Sequence, residues 1–380
     1  MTPDAPSKRI TLTAVGDIML DSRLLPPRTF FHYPDVTTCG GWFEGQVRYP
    51  FVNTSESARW LNALDRHVHG VHYTAHMASS IPLELPQDGD RFDYPFRGVA
   101  DEFRASDLVF ANLECPLSTR GRRMQNDAAY SADPAFAAAM AAIGVRVVSF
   151  ANNHCFDYGE VAFRDTLDTL KANGIAVAGA GTTLQEARTP AIIEIDGLKI
   201  AFLAYSMIGP DWIYATDTEC GVAPLNPMIV GQDIARVRGD ADLVALSVHW
   251  GVEVRPMPWP RLVELAHDFI DTGADMILGH HPHVPGSIEI YRDRPIFYSL
   301  GNFIFGHDHG NWGDNMLVKL HIDERQLSRI EILPIRGRYQ PAVVNGEVAA
   351  AFHRQLVEVS RPFGTNLTVS ERGSTIDLAS

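Results

Sequence analysis

Cysteine is scarce in this chain: four residues in 380, Cys39, Cys115, Cys155 and Cys220, lie far apart with no Cys-x-x-Cys pair. That spacing argues against a zinc ribbon and a disulfide framework, and it fits a reducing compartment. Basic charge is in deficit, with 32 Lys and Arg against 46 Asp and Glu, a net charge of −14. The average surface would repel a polyphosphate backbone, so nucleic acid is not the expected partner. Long apolar runs are missing too. No stretch approaches the roughly 18 uncharged apolar residues of a membrane span. The run after Lys8 and Arg9, from Ile10 to Val15, is too short and too polar for a secretion signal. The expectation is a soluble, cytoplasmic protein without a membrane segment of its own. No repeat of fixed period is found.

What is present is a globular balance, 46% hydrophobic and 21% charged, enough to bury a sizeable core. Five β-branched or apolar runs read as strands, and each ends in polar, chemically competent side chains. Ile10 to Val15 ends at Asp17, Leu108 to Ala111 at Asn112 and Glu114, and Val145 to Phe150 at Asn153 and His154. Leu243 to Val248 ends at His249, and Met276 to Leu278 at Gly279-His-His-Pro-His283. Helices fill the gaps. Asp133 reads as an N-cap before Pro134 and a helix from Ala135 to Ile143 that stops at Gly144. Phe163, Leu167 and Leu170 share one helical face, and Leu262, Leu265, Ala266 and Phe269 another. Short strands follow His283, so the architecture expected is an α/β sandwich of mixed sheets flanked by helices. In such sheets functional groups collect at the carboxyl ends of the strands. The main domain is placed at 1–340, interrupted by an insertion at about 21–98 that carries His67, His69, His72 and His76 and reads as a substrate lid. Within it, His72 and His76 form an i, i+4 pair whose expected setting is a solvated or partner-facing surface. Residues 341–380 are placed as a C-terminal helix, 346–360, and a loose polar tail from Arg361.

The strongest local signal is His281-Pro-His283, because two imidazoles one residue apart at a strand end can approach a common centre. Alone, such a pair is more often a hydrogen-bonded turn. Here Asp17, Glu114, Asn153, His154 and His249 share its topological position, and that convergence favours a metal centre. Carboxylate, amide oxygen and imidazole without thiolate suit zinc, manganese, iron or magnesium. Cys115 and Cys155 read as small core residues beside the motifs. The surplus of ligands is explained by two divalent ions, with Glu114 the candidate bridge. His154 is either a proton donor to a leaving group or a support for the ligands.

These residues resemble the CapA-type capsule synthesis proteins associated with poly-γ-glutamate, within the calcineurin-like metallophosphatase superfamily. The strings that carry the resemblance are Ala14-Val-Gly-Asp-Ile-Met-Leu20, Ala111-Asn-Leu-Glu-Cys-Pro-Leu117, Ala151-Asn-Asn-His-Cys-Phe-Asp-Tyr-Gly159, His249-Trp-Gly-Val-Glu253, Gly279-His-His-Pro-His-Val284 and Tyr298-Ser-Leu-Gly-Asn-Phe303. The resemblance implies a four-layer αββα sandwich with a two-metal site. Asp17 would bind one ion, Glu114 would bridge, and Asn153 and His249 would bind the second. His281 and His283 would complete the pair, and His154 matches the family's acid-base histidine. Met19 stands where ordinary phosphatases of the superfamily place a histidine, and Glu114 replaces their usual bridging aspartate. Both departures are shared with the CapA type. Asn112, Asp157, Glu253, His280 and Asn302 are the candidates for supporting or substrate contacts.

Two functions follow as expectations. One is a metal-dependent hydrolase acting on a small-molecule phosphoester or on an amide of a glutamyl-type substrate. The other is a non-catalytic component of poly-γ-glutamate synthesis or export that keeps the site for binding and works with a biosynthetic partner protein. A metal-stabilised structural protein is the remaining alternative, and structural sites are usually closed and compact in sequence.

Overall fold

The computed structural model describes residues 9–20, 92–124, 129–305, 314–337 and 339–378. Most of the 21–98 insertion, with its four histidines and Cys39, lies outside the described residues.

Two mixed sheets face each other. In the larger, the strands Ile10–Ile18, Leu108–Leu113, Val145–Ser149 and Ala176–Ala178 run parallel and side by side. Antiparallel strands Asp314–Asp323, Gln326–Arg336 and Ser374–Asp377 extend it beyond Ile10–Ile18. In the smaller, Leu198–Ser206, Leu243–His249, Met276–His280 and Arg294–Phe297 are parallel neighbours, with Ala191–Ile195 and Ile288–Tyr291 antiparallel at the edges.

Period-two alternation decides which side chains meet. Ile200, Phe202 and Ala204 point between the sheets with Ala245, Met276 and Leu278, where they join Leu12, Ala14 and Phe110 of the larger sheet in one core. Phe110 and Phe202 stack across the interface with centroids 5.5 Å apart. The alternate residues, Ala201, Leu203, Tyr205, Val244 and Leu246, face the helices Pro227–Val237 and Pro260–Thr272, through Val230, Ile234, Leu262, Leu265 and Phe269. Strands buried on both faces read as continuous apolar runs. The helices Phe136–Ala142 and Gly159–Ala172 contribute Phe136, Met140, Phe163 and Leu170 to the packing of the larger sheet. The layers are therefore helix, sheet, sheet, helix, the αββα sandwich expected. Among the described residues no helix is long and apolar enough to cross a membrane.

Two local expectations shift. The helix expected at Ala135 begins at Phe136 with Ala135 as its cap, because the Asp133 carboxylate accepts the Ala135 N–H at 3.0 Å and holds an extra turn ahead of the helix. The chain end, expected to be loose, includes the strand Ser374–Asp377 on the edge of the larger sheet, where Ser374 and Ile376 are buried. Helix Gly346–Ser360 lies where the sequence places it, and its buried His353 meets the Ser374 hydroxyl through Nδ1.

The strand Ile10–Ile18 carries the irregularity that matters for the site. Its register with Leu108–Leu113 shifts between Ala14 and Asp17, and Asp17 N–H donates to Gly301 O at 3.0 Å. A bulge of this kind re-aims the side chain that follows it. Gly16 makes the approach possible, since a Cβ there would lie 1.8 Å from Gly301 O.

Gly16→Ala is expected to destabilise the chain by about 1–3 kcal/mol through forced backbone displacement. Gly239→Ala, where nothing lies within 4 Å of the added carbon, should change stability by less than about 0.5 kcal/mol. Urea unfolding of both variants checks the contrast. Burial lowers the pKa of His353. The unfolded chain therefore gains a proton below about pH 6.5 that the folded one refuses, and stability at this joint falls as pH drops through that window. Hydrogen exchange across 374–377 should accelerate from pH 7 to pH 5 after correction for intrinsic rates, and less so in His353→Gln.

Candidate metal centre

The parallel strands of both sheets end at one edge, so their carboxyl-terminal side chains converge there. Asp17 pairs in register with Asn112, and His249 with His280. Glu114 follows Leu113 directly, Asn153 and His154 lie in the loop after Ser149, and His281 and His283 follow His280. His281 and His283 have φ of 93° and 59°, a left-handed region disfavoured for side chains with a Cβ. Strain of this sort persists only where the surroundings over-determine it, and it clusters at functional sites.

The sequence-designated residues fall into three overlapping groups of ligand atoms, two of which share Glu114. Atoms of Asp17, Glu114 and His283 lie within 4.8 Å of one another, and so do atoms of Glu114, His249 and His281. Glu253, His281 and His283 make a third such group on the less buried side. His249 Nε2 lies 2.8 Å from Asn153 Oδ1 and 3.5 Å from Glu114 Oε1. His283 Nδ1 lies 2.9 Å from Asn302 Oδ1 and 3.3 Å from Asp17 Oδ2. Asp17 Oδ1 receives Asn112 Nδ2 at 2.9 Å and His280 Nδ1 at 3.1 Å. His154 stands slightly apart, its Nδ1 2.8 Å from Asp157 Oδ2.

Two carboxylates are enclosed here with little to neutralise them. Burial, and after it the charge of Asp17, push the Glu114 carboxyl well above its usual range. Burial opposes ionisation of Asp17 as well, but contacts with His280 and His283 outweigh it and hold that carboxyl well below the usual range. Burial lowers His249 strongly and His281 to about 4, so both are neutral at pH 7, the form that ligates metals. For His283 burial is overcome by Asp17, which raises it.

The donor set fits a divalent cation. Asp17 Oδ2, both Glu114 carboxylate oxygens, His249 Nδ1 and His281 Nδ1 are buried without hydrogen-bond partners. Such orphaned polar atoms are expensive to bury unless a cation or proton meets some of them. Thiolate plays no part: Cys155 Sγ donates to Asn152 O at 3.0 Å, and burial pushes its thiol up.

Three contributors escaped sequence reasoning. Asn152 donates to Leu113 O at 2.7 Å and Asn112 Oδ1 at 3.3 Å, and its own Oδ1 accepts the His154 N–H at 3.1 Å. The doubled Asn152-Asn153 was the available signal. Tyr130 meets the His154 ring edge-on at 5.1 Å, and Phe305 lies 4.8 Å from the His283 ring. No sequence pattern marks those two aromatics.

A family model described as "Bacterial capsule synthesis protein PGA_cap" matches residues 11–307. The capsule biosynthesis protein CapA of Bacillus anthracis is 32% identical over 251 residues, covering 64% of this chain and 61% of that protein. The PGA biosynthesis protein CapA of Bacillus subtilis (strain 168) is 34% identical over 246 residues, covering 64% and 65%. The chain thus spans less than two thirds of either relative. Among solved structures, a 5'-nucleotidase precursor from Thermus thermophilus aligns over 93% of this chain and 59% of that one, with 13% identity and a TM-score of 0.43. With the family match running from the first strand past the His-Pro-His turn, this chain belongs to the bacterial capsule synthesis protein family.

Proposed function

We propose that this chain is a metal-dependent hydrolase with two divalent ions at the strand ends, cleaving a phosphoester or a glutamyl-type amide. The observation that supports it most directly is that Glu114 is the carboxylate in two of the three ligand groups, one with Asp17 and His283 and one with His249 and His281, the placement a bridging carboxylate needs. In this reading Asp17, Glu114 and His283 hold one ion. Glu114, Asn153, His249 and His281 hold the other, and zinc, manganese, iron and magnesium all suit the donors. When bound, the ions supply Lewis acidity toward a phosphoryl or carbonyl oxygen.

The chain's own residues do the rest. Asp157 is buried and accepts His154 Nδ1–H at 2.8 Å, which orients the ring. Nε2 is then the nitrogen that delivers a proton. Water oxygen adds to the phosphorus or carbonyl carbon, the bond to the leaving oxygen or nitrogen breaks, the leaving group takes the Nε2 proton of His154, and the proton released by the water returns through solvent to His154. Tyr130 N–H also donates to Asp157 Oδ2, at 2.8 Å, so the acceptor is held from two sides.

A second reading is favoured by the relatives' names, which place those proteins in capsule and PGA biosynthesis. In it the site binds a glutamyl polymer without cleaving it, beside a biosynthetic partner.

Elemental analysis of purified protein should find two divalent ions per chain, with both lost in Glu114→Ala and one lost in His281→Ala. Chelation should lower the melting temperature, because an ion bound only by the folded chain stabilises it. His154→Asn should keep both ions and lower turnover of a cleaved phosphoester or γ-glutamyl amide by about 10²–10⁴-fold. Full metal content with no turnover on either substrate class would favour the binding reading, and metal-free active protein would overturn the first.

A further inference from the structure

His280 is the buried imidazole that the proposed chemistry leaves unused. It ends the strand Met276–His280 with no exposure, and strand alternation puts it on the inner face with Met276 and Leu278. Its Nδ1 lies 3.1 Å from Asp17 Oδ1. A carboxylate oxygen only accepts, so the hydrogen sits on Nδ1. Nε2 is buried without a hydrogen-bond partner, and the Phe110 ring lies 5.9 Å from the imidazole. A hydrogen on Nε2 would be an unsatisfied buried donor, more expensive than a bare lone pair there. The geometry therefore puts a His280 hydrogen on Nδ1, toward Asp17 Oδ1.

The second donor to the same oxygen is equally constrained. Asn112 gives its Nδ2 to Asp17 Oδ1 at 2.9 Å, while its Oδ1 accepts from Asn152 Nδ2 at 3.3 Å. Asn152 is anchored in turn by Leu113 O at 2.7 Å, so the orientation of the Asn112 amide is set. Asp17 Oδ2 lies outside this pair of contacts and faces His283 Nδ1 at 3.3 Å.

We propose that His280 is a positioning residue which, together with Asn112, clamps one oxygen of Asp17 so that the other is the single oxygen presented beside Glu114 and His283 to a divalent cation. The proposal rests on the reading of Asp17 as a ligand. Supporting partners of ligands typically set metal affinity by about 10–100-fold.

The test has a metal-free and a metal-loaded part. In chelator-treated, ¹⁵N-histidine-labelled protein, long-range ¹H–¹⁵N spectra should show a His280 ring hydrogen on Nδ1, assigned by its loss in His280→Asn. A Nε2–H tautomer overturns the clamp whether or not metal binds. In Mn²⁺ titrations followed by electron paramagnetic resonance, His280→Asn places an amide nitrogen near the position of Nδ1. It should keep both affinities within a few-fold. His280→Gln and His280→Phe should weaken one site by about 10–100-fold and spare the other. Equal affinities in all three variants overturn the proposal. Wild-type protein that binds no Mn²⁺ overturns the metal reading, and the tautomer still decides the clamp.

Discussion

Two carboxylates with no solvent exposure, Asp17 and Glu114, stand beside each other at the meeting of two sheets. Buried like charges at close range cannot both remain ionised without compensation. Much of the local structure answers that constraint. Asn112 and His280 satisfy one oxygen of Asp17, and His283 faces the other. His249 and His281 are kept neutral by burial, so they bring lone pairs rather than further positive charge. A cation is a partner that such a set of donors would suit.

The sandwich supplies the geometry. Parallel strands put their carboxyl ends on one edge, and two parallel sets facing each other bring two such edges together. The close approach at Gly16 and the left-handed residues in the His-Pro-His turn then aim individual side chains within that edge. Both features conflict with relaxed backbone preferences, so tertiary packing must hold them. The proposed proton donor is treated differently. His154 lies on a loop outside the ligand groups, held by Asp157 and edged by Tyr130.

Legibility in the sequence was uneven, for physical reasons. The strand from Ile10 could be read as far as Val15, because alternation and β-branching are local signals. Its continuation to Ile18 depends on pairing with Gly301 and Asn302, far along the chain. The sandwich layers followed from apolar runs alternating with amphipathic helices. The strand near the C-terminus was missed because Ser374 and Ile376 are a short, mostly polar pattern, buried only because Gln326–Arg336 offers an edge. Asp133 looked like a helix cap, and its carboxylate instead closes a turn just before the helix.

Composition, alternation and the recurrent polar strand ends determined the α/β class and the set of side chains available to a centre, because those depend on neighbours within a few residues. Which oxygen of Asp17 meets His280 and Asn112, and that Glu114 belongs to two of the ligand groups, were decided only by the tertiary structure. These are distances of a few ångströms between residues from both sheets. Burial and hydrogen bonding across the interface fix them, and neither is encoded in the spacing of residues along the chain.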